Sequence, residues 1–122
     1  MEEIRLGGSI ALVGFDKLEP VEITIVKKIT GTYVKKMQEN GSYQDLKLVL
    51  QQHKHGKSFK HEITAQAQFV EGRFGATVTD WNLFKALSET LEKIISEINH
   101  KRKKEIRKEK RIEQEEKPIE PM

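Results

Sequence analysis

Apolar and polar positions alternate most regularly in the middle of the chain. Phe59, His61, Ile63, Ala65, Ala67 and Phe69 are interleaved with Lys60, Glu62, Thr64, Gln66 and Gln68, a period of two that predicts a strand with one dry and one wet face. Leu46, Leu48 and Leu50 alternate with Asp45, Lys47, Val49 and Gln51 and predict the strand before it. Glu71-Gly72 reads as a short hairpin turn, after which Phe74, Ala76 and Val78 face inward while Thr77 and Thr79 face water. A first strand is expected within Ile4 to Phe15, with Ile10, Leu12 and Val13 at its core and Gly7-Gly8 as a bulge or frayed start.

Two segments switch to helical spacing. After a turn at Asp16 to Pro20, with Pro20 suited to a first helical position, Val26, Ile29, Tyr33 and Met37 recur at intervals of three and four, and Ile25 and Val34 widen the stripe. The β-branched residues of VEITIVKKIT lean toward strand, but differences of roughly a few tenths of a kcal/mol per residue yield to burial. Asn40-Gly41 is expected to stop this helix, since both residues tolerate positive φ. A last helix opens at Asp80 or Asn82, either of which can cap it, and repeats Phe84, Leu87, Leu91, Ile94 and Ile98. Its apolar stripe ends near Ile98. The order is strand, helix, three strands, helix: an α+β fold in which two helices cover the dry face of a four-stranded sheet. Residues 1–104 are expected to form this domain and 105–122 a charged helical extension, with fraying from about Arg111 to Met122, where Pro118 and Pro121 fall.

Charge changes the picture at the carboxyl end. The net charge of +3 hides an asymmetry, because residues 101–122 hold 9 of the 22 Lys and Arg but 6 of the 19 Asp and Glu, leaving 13 against 13 before Lys101. The block Lys101 to Arg111, KRKKEIRKEKR, sets 8 bases against 2 acids. Such a block attracts phosphate, and equally suits a solvated helix end. On the first helix Lys28 and Lys35 lie on nearly one side, flanked by Lys27 and Lys36. On the last, Lys93, His100 and Lys104 follow a similar stripe, joined by Lys101, Arg102 and Lys103. If the helices lie side by side, their outward faces form one positive surface that phosphates can bridge.

Other chemistry is thinly represented. There are no cysteines, which excludes disulfides and thiolate sites, and no phosphate-binding loop, nucleophile elbow, zinc-protease or dinucleotide motif, so neither an enzyme nor a cofactor is expected. His53-Lys54-His55 with His61 lacks a neighbouring carboxylate or cysteine to complete a metal set and reads as a solvated basic loop. The phenylalanines Phe59, Phe69, Phe74 and Phe84 fall on apolar stripes and Trp81 at a helix entrance, which leaves no obvious platform for single-stranded bases. The opening MEEIRLGGSIALVGF is unlike a signal peptide, and no apolar run approaches the roughly 18 residues that cross a bilayer, so a cytoplasmic location is expected.

With these elements in place, the chain resembles the short ribosome hibernation-promoting factors, the family of ribosome-associated inhibitor A (sigma-54 modulation proteins). The resemblance covers roughly Ile10 to Lys104. Its best local match is NLFKALSETLEKIISEINHKRKK, residues 82–104, with a capped start, an aromatic in the first turn and a basic end; the phrase from Ala65 to Phe69, followed by a hairpin and an aspartate, is also similar. Ser96 and Glu97 stand where the family usually places another base, and Thr32 interrupts the lysines of the first helix. The resemblance implies a β-α-β-β-β-α fold like that of double-stranded RNA-binding domains. It further implies occupancy of the small-subunit cleft where messenger and transfer RNA bind, inhibition of translation during dormancy, and contacts from Lys28, Lys35, Lys93, His100, Lys101 and Lys104 to 16S-type rRNA, with Lys27, Lys36, Arg102 and Lys103 secondary. A monomer off the ribosome is expected, without a separate domain for pairing ribosomes, a membrane partner or a small-molecule substrate. The alternatives are a general double-stranded RNA-binding module and a protein-interaction adaptor built on the charged last helix.

Overall fold

The computed structural model describes the backbone of residues 2–115 and the side chains of residues 2–103. The sheet has five strands rather than four, in the order β1 (Glu3–Leu6), β2 (Ile10–Val13), β3 (Tyr43–His55), β4 (Ser58–Phe69) and β5 (Gly72–Asp80). Gly7-Gly8 is neither a bulge nor a fray: with Gly8 at φ 75° and Ser9 at φ 57° the chain reverses there, and β1 pairs antiparallel with β2. The Tyr43 hydroxyl holds this reversal by donating to Gly8 O at 2.9 Å. The sheet is also mixed, because β2 runs parallel to β3 while every other pair is antiparallel.

A parallel pair needs a crossover, and the helix α1 (Pro20–Asn40) supplies it. Pro20 is its first residue, and Glu19 and Glu22 form a reciprocal capping box there. Buried on α1 are Val26, Thr30, Val34 and Met37; Ile25, assigned to the stripe by spacing, is 37% exposed. At its end Gly41 is extended (φ −170°), so positive φ is not what the residue supplies. A side chain there would place Cβ 3.0 Å from Phe69 Cδ2 and 3.2 Å from Ile98 Cγ1, so the chain leaves α1 through a tight gap that a methyl would enter only by pushing those side chains back.

The long helix α2 (Leu83–Glu115) begins behind Asn82, whose Oδ1 accepts the N–H of Phe84 at 3.0 Å and of Lys85 at 3.1 Å, while Asp80 Oδ1 accepts the N–H of Asn82 at 2.8 Å. Its Leu83, Ala86, Leu87, Leu91, Ile94 and Ile98 close the core against β4 and β5. Burying each large aliphatic side chain contributes about 1.5–3 kcal/mol. The helix α1 leans on α2 and on β3, and the two run parallel, as contacts at Tyr33 with Glu92 and at Asn40 with Arg102 indicate. Smaller corrections follow from the same packing. Phe15, in a 3-10 turn after β2, is fully buried while Val13 is half-buried, and the tight turn between β4 and β5 is Val70-Glu71, with Gly72 opening β5. The helix continues past the end of the core as far as Glu115; the remainder of the tail lies outside the described residues.

Candidate nucleic-acid interface

At about 100° per residue around a helix, Lys28 and Lys35 fall within roughly 20° of one another and nearly opposite the buried stripe of α1. Both are exposed and point straight out from the helix layer. Lys27 stands on the flank turned away from α2, and Lys36 on the flank toward it, its Nζ 4.9 Å from the Tyr33 ring centroid. On α2, Lys93 and His100 are likewise seven apart and exposed. They occupy the flank turned from α1, since Glu92 and Arg102 mark the side that meets α1.

Between these strips lie acids. Glu89, Glu92, Lys93 and Ser96 line one shallow depression on the outward side of α2, and Glu92 accepts a hydrogen bond from the Tyr33 hydroxyl. Burial first, and then this carboxylate, push the Tyr33 hydroxyl above its ordinary pKa. The helix layer therefore presents two cationic strips with carboxylates between them, not the single continuous surface expected from charge spacing.

The basic block at the end of the core divides in two. The Lys101 ammonium turns inward: it donates to Glu71 O, lies 5.6 Å from the Phe74 ring centroid, and stands where a Cβ on Gly72 would meet it at 2.8 Å. Arg102 reaches across to α1 and donates through Nη1 to Asn40 O. Glu71 accepts the Ser42 N–H at 2.9 Å; chiefly for that reason, with the charge of Arg102 adding to it, its carboxyl is held below the usual range. Lys101 and Arg102 thus tie α2 to the β4–β5 turn and to the end of α1, whereas Lys103 is exposed. Lys104 belongs to the α2 backbone, but its side chain lies outside the described residues.

A second group of residues escaped the sequence reading. Strands β3 and β4 run past the region the helices cover, and Phe59, placed on the dry face by alternation, is 45% exposed; Trp81, expected to cover the core edge, is 52% exposed. The signal lay on the partner strand. Phe59 pairs with Lys54 and His61 with Gln52, so the apolar face of β3 stops at Leu50 while that of β4 nominally continues.

A search of solved structures finds the same fold in the crystal structure of the Thermus thermophilus Protein Y N-terminal domain. It superposes with a TM-score of 0.52 at 12% identity, over 76% of this chain and 94% of that one. The likeness is one of fold. No protein-family model matches the chain, and no curated protein does. Among the described residues no helix is long and apolar enough to cross a membrane, and no group of His, Cys, Asp or Glu is placed to hold a metal ion.

Proposed function

We propose that this chain is a non-enzymatic ribosome-associated protein that binds small-subunit rRNA in the messenger and transfer RNA cleft and represses translation during dormancy. The observation that carries the reading is the fold held in common with the Protein Y N-terminal domain, a pointer to the same ribosome-hibernation group that the sequence resembles. Two exposed cationic strips on the helix layer support it. Lys28 and Lys35 form one and Lys93 and His100 the other, with Lys27, Lys36 and Lys103 beside them, spaced to meet phosphates by position rather than to read bases.

Sedimentation with purified small subunits through a sucrose gradient tests this. The chain should travel with the subunit, be displaced by transfer RNA or initiation factors, and ignore excess free duplex RNA. The combination Lys28→Glu, Lys35→Glu, Lys93→Glu and His100→Glu should abolish co-sedimentation while leaving the circular dichroism spectrum unchanged. Unchanged co-sedimentation would refute the assignment of these faces, and displacement by free duplex would favour a general double-stranded RNA-binding module.

A further inference from the structure

The end of the molecule where both helices begin carries an unexplained surface. Two aromatic side chains are exposed there, on opposite faces of the sheet: Phe59 on the projecting β3–β4 hairpin, and Trp81 between β5 and α2. A half-exposed indole is costly in water and marks a contact surface. Trp81 is also held in place: its carbonyl oxygen lies 3.0 Å from His61 Nδ1, the Lys60 ammonium sits 5.2 Å from the ring centroid, and the His55 ring meets it edge-on at 5.4 Å. The backbone is thus pinned by His61, and the indole is oriented by Lys60 and His55 while leaving half of its surface open for stacking.

The surrounding charge selects the occupant. The run His53 to His61, HKHGKSFKH, contains three lysines and three histidines and no acid. Lys54 and Lys57 are exposed beside the turn. The carboxylates of the neighbouring strand residues are engaged, Glu62 with His53 at 3.5 Å, and Asp80 with the Asn82 N–H at 2.8 Å and with Lys85 at 3.9 Å. An aromatic platform ringed by uncompensated ammonium groups is complementary to unpaired bases on a phosphate backbone, and repels the cationic surface of a basic protein.

We infer that the β3–β4 hairpin tip and Trp81 form a binding site for single-stranded polynucleotide, in which an unpaired base stacks on Trp81 while Lys57, at the turn, and Lys60 contact the flanking phosphates. This goes beyond the proposed helix-face contacts and does not depend on them, since the Trp81 ring sits against Lys60 and His55 on the sheet face that the helices leave open. Phe59, on the other side of the hairpin, offers a second stacking surface to a strand that wraps the tip.

Trp81 is the only tryptophan in the chain, so its fluorescence reports the site directly. Titration with short oligonucleotides, RNA and DNA in parallel, should give saturable quenching that weakens steeply with salt. Blunt duplex of equal length should quench far less. Lys57→Glu with Lys60→Glu should weaken binding at least tenfold. Trp81→Leu, followed by anisotropy of a labelled oligonucleotide, should weaken it by about fivefold to a hundredfold, as expected for loss of one stacked base. Lys28→Glu with Lys35→Glu should leave oligonucleotide quenching unchanged even where it removes ribosome sedimentation, which separates failure of one site from failure of the other. The inference is overturned by quenching that does not saturate by about 100 μM, the weak end of non-specific binding. Equal quenching by duplex overturns it too, and so does quenching indifferent to the lysine reversals. A Trp81 spectrum that shifts with protein concentration alone would identify the patch as a contact between copies and would equally overturn it.

Discussion

The Tyr33 hydroxyl on α1 donates a 2.8 Å hydrogen bond to Glu92 on α2. The bond fixes a carboxylate in the middle of the helix layer, between Lys28 and Lys35 on one side and Lys93 and His100 on the other. A polyanion crossing both strips must pass over it.

Glu89→Gln with Glu92→Gln should therefore raise affinity for small-subunit RNA severalfold at low salt and make binding more salt-dependent, because each removed acid no longer opposes a phosphate. Glu92 is exposed and Glu89 only half-buried, so the denaturation midpoint should move little. A filter-binding series across ionic strength measures the slope, and an unchanged slope would show that RNA does not cross this face.

Gly41→Ala should destabilise the fold by about 1–3 kcal/mol in urea unfolding, the range for overpacking a core. The backbone there is extended and accepts any residue; the obstacle is the pair of fully buried neighbours, Phe69 and Ile98, which must give by a few tenths of an ångström to admit a methyl. Pairing the change with Ile98→Val should recover part of the loss.

Thr30→Val should stabilise the protein by about 1 kcal/mol. Thr30 is fully buried on α1, and its hydroxyl oxygen finds no hydrogen-bond partner among the described residues, so a methyl of similar shape removes a desolvation cost. A higher midpoint with the same slope in denaturant is the expected readout.

Tyr43 should make stability fall in alkali. Burial, with the Asp45 carboxylate adding to it, pushes its hydroxyl up to about 12 from an ordinary 10.0. The fold thus favours the protonated phenol: its contribution is complete below about pH 10, where the unfolded chain titrates, and is lost as pH rises toward about 12. Phenolate absorbance of the native protein should lag that of the denatured chain across this window. Tyr43→Phe should abolish the latest part of the lag and loosen the Gly8-Ser9 turn.

Lys101→Met should cost about 1 kcal/mol of stability, with little change in the salt dependence of RNA binding. Its ammonium is taken up by Glu71 O and the Phe74 ring, so its loss is felt at the β4–β5 turn. Lys103→Met, at an exposed neighbour, should show the reverse pattern.

Much of the architecture was legible because burial imposes a period. The spacing of Val26, Val34 and Met37 outweighed the strand preference of a β-branched run, and the alternation from Phe59 to Phe69 marked nearly the whole of β4. The amino-terminal ribbon was not legible, because Glu3 to Leu6 is short and half polar, and two glycines serve a reversal as well as a fray. Phe59 shows a related limit: alternation states which side of a strand a residue takes, not whether a helix reaches far enough to cover it. The division of the cationic surface was hidden for a third reason. Lysine spacing defines a stripe on each helix, but only the side on which Tyr33 meets Glu92 decides how the stripes are turned relative to each other. Lys101 likewise reads as one more base in a run until Glu71 is seen beneath it.

The seam between β2 and β3 has a consequence for assembly. Four parallel rungs, from Ile10 with Leu46 to Val13 with Val49, join the amino-terminal ribbon to the rest, and all of α1 intervenes between the partners in sequence. The meander of β3, β4 and β5 can zip up from its own hairpins, whereas this seam must first meet the entropy of closing a long loop. The ribbon is then expected to dock after the meander, which leaves the opposite edge of the sheet, under α2, as the place where assembly can start.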